Sequence, residues 1–399
     1  MFKTDTNLPP SEIYGRISGL QKVLQENQID AALILQNTDM YYLSGTIQQS
    51  HLYIPADAEP LLMVYKSVER ARAESPLKKI ISLSSPSKIP AILKDHALPA
   101  PTAMGMELDV LPVNRFRRYR ELFPDTDISD ISPDIRVLRA VKSPFELDLI
   151  AQAAHLSDEV AAHAATIIQT GMSELELAGK VEAHARKLGH QGIVRMRMWG
   201  GEMFYGHLMA GPSGAVPSYL ASPTGGTAPS PAVAQGAGFA RLKPHEPILL
   251  DYVFALNGYI SDHTRIFALK SLPDDLMTAH TAMIDLQHQL KQAARPGITA
   301  GHLYDLGMQI VTRLGFQENF MGAGSRRIRF IGHGVGLELD EFPFIAKGQQ
   351  MPLAEGMVIA LEPKMVFPGR GVVGIENTHV VTQNGLKQLG RYPDQITII

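Results

Sequence analysis

Residues 248–267 read ILLDYVFALNGYISDHTRIF, and this stretch leaves the fold little freedom. Two apolar runs flank Asn257-Gly258, the dipeptide that most favours a two-residue hairpin turn because both positions tolerate positive φ. With those two residues as the turn, Leu256 faces Tyr259, Val253 faces Asp262, and Asp251 faces Thr264. Side chains alternate along a strand, so Asp251 and Asp262 then point to one face as diagonal neighbours, their Cβ atoms about 6–8 Å apart. A turn of any even length keeps that parity.

The pattern of a carboxylate inside an apolar strand recurs twice. GMVIALEPKMVF ends an apolar run on Glu362, and GVVGIENTHVVT carries Glu376 within another. Any one of these four acids could be a strand-end residue facing water. Together they carry a large desolvation cost, and the strands offer few basic residues to offset it. Two divalent cations would balance four negative charges, and a donor set rich in oxygen with one nitrogen suits Mn, Co, Fe or Zn. The nitrogen would come from IGHGVGLELDEFP, where His333 stands between glycines as either a metal ligand or a packed core histidine.

Composition narrows the class. A chain of 399 residues with 45% hydrophobic and 19% charged content reads as a soluble globular protein of two or three domains. A net charge of −3 with no basic stripe argues against a nucleic-acid surface. No cysteine is present, which excludes disulfides and thiolate catalysis and fits the cytoplasm. No run of eighteen apolar residues suggests a membrane span.

Two halves are distinguishable, with a boundary near residue 140. The first alternates apolar strands (DAALIL, LYIPA, PLLMVYK, KKIISL) with helical patterns and reads as a small α/β domain, residues 1–140. In the second, residues 141–399, Ser143-Pro144 with Glu146 starts one helix and Ser173 caps another, among about four helices in all. Segment 211–235, GPSGAVPSYLASPTGGTAPSPAVAQ, is either a flexible surface loop or an ordered loop over a pocket.

The order Asp251, Asp262, His333 in GHGVG, Glu362 in LEP, then Glu376 resembles the pita-bread metallopeptidases, which include Xaa-Pro aminopeptidases and prolidases. QIDAALILQNTDMYYLSG likewise resembles the creatinase-type N-terminal domain. The resemblance implies an α/β (α+β) protein with a pita-bread catalytic domain, hydrolysing a short Xaa-Pro peptide with a free amino end. It also implies two divalent metal ions: Asp262 and Glu376 bridge them, Asp251 completes one, and His333 with Glu362 holds the other. A cytoplasmic homodimer that binds neither nucleic acid nor membrane is the expected context.

Three accessory positions depart from that family. Asp340 stands where the Xaa-Pro enzymes carry a histidine, Ser218 where they carry an upstream histidine, and Gly374 where they carry an arginine. Asp340 is then a catalytic candidate: protonated it would act as a general acid, ionised it would attract a cationic group, and as a plain loop residue it would be satisfied by backbone amides. His207 could replace the missing upstream imidazole, and Glu362 is a catalytic candidate besides being a ligand. Ser218, Tyr205 and Arg370 are substrate-binding candidates, Arg370 as a stand-in for the arginine and Tyr205 with Trp199 as a pocket wall. By alternation, His263 and His379 point away from the acids. The altered surroundings leave open a hydrolase or lyase for a small non-peptide amide or amine, and a metal-binding protein without turnover.

Overall fold

The computed structural model describes residues 7–399. The chain divides into two compact units, one ending at Arg139 and the other spanning Ala140–Ile399.

The first unit contains α1 (Pro10–Glu26), β1 (Ala31–Ile34), α2 (Asn37–Ser44), β2 (Ser50–Pro55), β3 (Leu61–Val64), α3 (Val68–Glu74) and β4 (Ile80–Ser82). It continues with α4 (Ile89–Asp95), β5 (Ala103–Met106), α5 (Val113–Leu122), β6 (Asp127–Asp130) and α6 (Ser132–Ala140). The strands form one mixed sheet in the order β4-β3-β2-β1-β5-β6. β1 to β3 are buried throughout, as expected of strands covered on both faces. The four strands expected from apolar runs are all present. β5 and β6 carry no comparable apolar signal, because AMGM and DISD are short and have little β-branched character.

The second unit opens with α7 (Pro144–Ile167) and α8 (Glu174–Lys187). Ser143 and Glu146 form a reciprocal capping box on α7, and Ser173 caps α8 by accepting from the Glu176 amide. Then follow β7 (Gly206–Ala210), β8 (Pro247–Leu256), β9 (Tyr259–Ala268), α9 (Asp274–Ala293), α10 (Ala300–Arg313), β10 (Phe330–Gly334) and β11 (Glu341–Ala346). The unit closes with β12 (Val358–Leu361), β13 (Lys364–Phe367), β14 (Gly371–Gly374), β15 (Asn377–Thr382), β16 (Gly385–Gln388) and β17 (Thr397–Ile398). One sheet runs β17-β9-β8-β7, a second β11-β10-β12-β15-β16, and β13 pairs with β14 alone.

The hairpin has the register read from the sequence: Leu256 pairs with Tyr259, Val253 with Asp262, and Asp251 with Thr264. Asn257 and Gly258 both have positive φ, 51° and 92°, as a tight turn between twisted strands requires. Ile248, Leu250, Tyr252, Phe254 and Leu256 face a core built with α7 and α8, while Leu249 and Ile266 face a second core built with α9 and α10. Asp251 and Asp262 lie on that second face, at the seam where β15 meets β9 through the Thr264–Glu376 bridge.

Candidate metal centre

Four of the five expected ligands converge on one point. His333 Nε2 lies 3.7 Å from Asp262 Oδ2, 3.7 Å from Glu362 Oε1 and 3.9 Å from Glu376 Oε1. Ligand atoms of Asp262, His333 and Glu376 all fall within 4.8 Å of one another. Glu376 Oε1 is buried with no hydrogen-bond partner, an orphaned acceptor aimed into the cluster. An unpaired carboxylate oxygen in that setting is costly unless a cation completes it, so the residues fit a divalent ion.

The backbone holds these groups closely. His333 Nδ1 lies 3.2 Å from the Gly334 carbonyl, a contact that, when Nδ1 carries the proton, leaves Nε2 free to ligate. The flanking glycines follow from strand crowding: a Cβ at Gly332 would lie 2.4 Å from the Ala360 carbonyl oxygen, and one at Gly334 2.1 Å from that of Phe342. Thr378 Oγ1 accepts from the Asp262 amide at 2.9 Å, and Thr264 Oγ1 donates to Glu376 Oε2 at 2.8 Å. Behind them the buried Arg265 guanidinium donates to the Glu376 carbonyl at 3.1 Å and to the Thr264 carbonyl at 2.7 Å. Gln287 of α9 secures the Leu361 carbonyl beside Glu362.

The scarcity of basic residues argued from sequence fails at one position. Lys364, at the start of β13, is buried, and its ammonium sits 2.7 Å from Glu376 Oε2, 2.8 Å from Glu362 Oε2 and 3.2 Å from Asp251 Oδ2. Strand alternation held the signal: residue 364 lies two after Glu362 and so shares its face. Burial opposes the ammonium charge, but Asp251, Glu362 and Glu376 outweigh it and hold the Lys364 pKa well above its usual value. Burial and then the nearby Asp251 push the Asp262 carboxyl up to about 6, and burial with Asp262 raises Glu376 further. The Asp251 carboxyl ends below its usual value, because Lys364 and His207 overcome the effect of burial.

Of the accessory candidates, His207 is placed at the cluster. It pairs with Asp251 across β7 and β8. Its Nδ1 lies 3.0 Å from Thr224 Oγ1, and its Nε2 is buried with no partner. Thr224 is fully buried, and Glu174 accepts from the Ala210 and Gly238 amides at 2.7 and 2.8 Å, clasping both ends of the Pro/Gly-rich segment. Thr224 brings this part of the segment against the flank of His207, while residues 229–234 are exposed. Ser218 lies within the segment and accepts from the Leu220 amide at 3.0 Å, a turn-forming contact.

Three expectations need correction. Both carboxylate oxygens of Asp340 accept backbone amides, Arg197 at 2.8 Å and Met198 at 2.7 Å, so its side chain anchors a loop. Its neighbours are engaged elsewhere, Glu341 with Lys142 at 2.9 Å and Glu338 with Arg197 at 3.8 Å. Arg370 sits in an exposed turn, gripped by Asp275 at 2.5 and 2.8 Å, and does not replace the expected arginine. Tyr205 packs against His190 and Tyr252 in the core under α7 and α8, on the face of β8 opposite Asp251, while Trp199 is 91% exposed. His263 turns from the acids as expected, toward Asp158 of α7.

The sequence profile of metallopeptidase family M24 matches residues 148–383, and that of the creatinase/prolidase N-terminal domain matches residues 16–141. The chain belongs to metallopeptidase family M24. Among its relatives is the Xaa-Pro dipeptidase of Pyrococcus furiosus, 28% identical over 94% of this chain and 97% of that protein. The Xaa-Pro dipeptidase of Lactobacillus delbrueckii subsp. lactis is 27% identical, covering 95% and 98%. The prolidase structure from Pyrococcus horikoshii OT3 superposes with a TM-score of 0.79 at 25% identity, covering 95% of this chain and 99% of that one. An M24 chain is a metal-dependent hydrolase, and its fold here, an α/β unit followed by a pita-bread unit, is that of the prolidases.

Proposed function

We propose that this M24 chain cleaves the amide bond before proline in dipeptides and short peptides with a free amino end. One observation carries the reading: Asp262, His333, Glu362 and Glu376 converge around an orphaned carboxylate oxygen, in a chain that matches Xaa-Pro dipeptidases over nearly its full length. Manganese is the proposed ion, since carboxylate oxygens outnumber the single imidazole nitrogen. When bound, a divalent ion supplies carbonyl polarisation and a hydroxide nucleophile near neutral pH.

The remaining chemistry belongs to the protein. Lys364 holds Glu362 and Glu376 in place and offsets part of their charge. His207 presents an unpartnered Nε2 beside Asp251, placed to pass a proton or to contact a peptide end. Burial lowers the His207 pKa, so its imidazole is neutral and able to accept. Gly374 leaves the family's arginine role to another group. The absence of cysteine supports a reducing cytoplasmic setting for what we propose is a homodimer, and among the described residues no helix is long and apolar enough to cross a membrane.

The test is an assay of purified protein with added Mn²⁺ against Ala-Pro, Gly-Pro, Ala-Ala and a set of small non-peptide amides. Release of proline, abolished by chelator and by Glu376→Ala, is expected. Turnover of the non-peptide amides alone would replace the peptidase reading with another hydrolase activity.

A further inference from the structure

The carboxylates divide their oxygens between two places. Asp262 Oδ2, Glu362 Oε1 and Glu376 Oε1 turn toward His333 Nε2. Asp251 Oδ2, Glu362 Oε2 and Glu376 Oε2 turn instead toward the Lys364 ammonium. The first group is a four-ligand pocket with one imidazole. The second, on the Asp251 side, would be the place for another ion, and a protein cation already occupies it.

We infer that this chain holds a single divalent ion, at His333, and that Lys364 takes the place of the second. The inference rests on the metallohydrolase reading and concerns the number of ions, not their necessity. Metal–oxygen bonds are roughly 2.0–2.2 Å long. An ion bonded to Glu376 Oε2 and Asp251 Oδ2 would therefore lie in contact with an ammonium that is 2.7 and 3.2 Å from the same oxygens. Two cations at that separation repel strongly. The lysine is also confined, its side chain 1% exposed. A Cβ at Gly374 would lie 3.1 Å from Lys364 Cγ, so the stem runs through the space that a side chain at 374 would need. Asp251 is on this reading a partner of Lys364 and not a ligand. The lysine is a positioning residue, because it acts through the carboxylates.

The experiment counts ions. Protein equilibrated with excess Mn²⁺ and freed of unbound metal is analysed by elemental mass spectrometry and by calorimetric titration of the metal-free chain. Wild type should hold about one ion per chain and Lys364→Met about two, the neutral stem leaving the Asp251 side open to metal. Asp251→Asn should leave the wild-type count at about one, whereas in a two-ion centre it would remove one of the ions. Two tightly bound ions in wild type overturn the inference and leave the hydrolase reading standing. No bound ion in wild type overturns both. If Lys364→Met does not fold, the wild-type count and the Asp251→Asn count still decide.

Discussion

Lys364 and Gly374 face one another across the β13–β14 pair. A Cβ at 374 would meet the Pro363 carbonyl oxygen at 2.5 Å and Lys364 Cα at 2.6 Å, with φ at +150°. Gly374→Ala should therefore destabilise the protein by about 1–3 kcal/mol from backbone strain alone, before any collision is counted. Urea unfolding measures it, and a loss under about 0.5 kcal/mol, the ordinary surface level, would show that the strand pair relaxes freely.

Removing the ammonium should leave buried Asp262, Glu362 and Glu376, and the partly exposed Asp251, without their lysine counter-charge. In metal-free protein, Lys364→Met is expected to cost about 3–5 kcal/mol, the usual consequence of removing one partner of a buried ion pair. Added Mn²⁺ should raise the melting temperature of the variant by more than it raises that of wild type. Equal metal-induced shifts would indicate that Lys364 and metal do not share the same carboxylates.

His207→Gln should lower Xaa-Pro turnover by about 10²-fold or more while leaving metal content unchanged, as the loss of a proton-handling group does. Unaltered kcat at full metal loading would reduce His207 to packing against Thr224.

Asp340→Ala should act on a loop and not on chemistry. Exchange of the Arg197 and Met198 amides should accelerate at least about 10-fold, since each loses its acceptor. Turnover should fall by less than about 10-fold, short of what loss of an acid–base group produces. A 10²-fold fall with amide protection intact would return Asp340 to the role of acid, on the same scale.

In the first unit, burial, assisted by Arg115 and Arg118, pulls His51 down to about 4, and its ring lies 2.5 Å from the Tyr119 hydroxyl. The unfolded chain takes up this proton near the ordinary pKa of about 6.5 and the folded chain only near 4, so stability declines as pH falls between those values and levels off below them. The decline is worth about 3 kcal/mol at most. Urea unfolding between pH 7.5 and 4 should show a shallower decline for His51→Gln than for wild type; parallel curves would place the acid sensitivity in other groups.

Much of the centre was legible because alternation is strict. The turn at Asn257-Gly258 fixed which faces Asp251 and Asp262 share, and the structure has that register residue for residue. The same rule applied to Lys364 places it beside Glu362, yet the proline between them hides that they share a face. Asp340 and Arg370 lie in loops, where no period relates position to direction, and their partners are 142 and 95 residues away or more. Tyr205 defies the same rule for a related reason: Gly206, at φ +143°, breaks the alternation at the first residue of β7.

Arg265 also links the centre to the last stretch of the chain. Besides the Glu376 carbonyl, it binds the Tyr392 carbonyl at 2.8 Å and Asp394 at 3.1 Å, while β17 at Thr397–Ile398 lies along β9. During synthesis the Asp251/Asp262 hairpin emerges more than a hundred residues before these braces exist. The ribosome must therefore deliver residues 392–398 before the hairpin gains its outer strand and its arginine meets Tyr392 and Asp394. Nascent chains stalled short of that point would expose an unpaired strand edge, which makes the interval a natural one for chaperone protection.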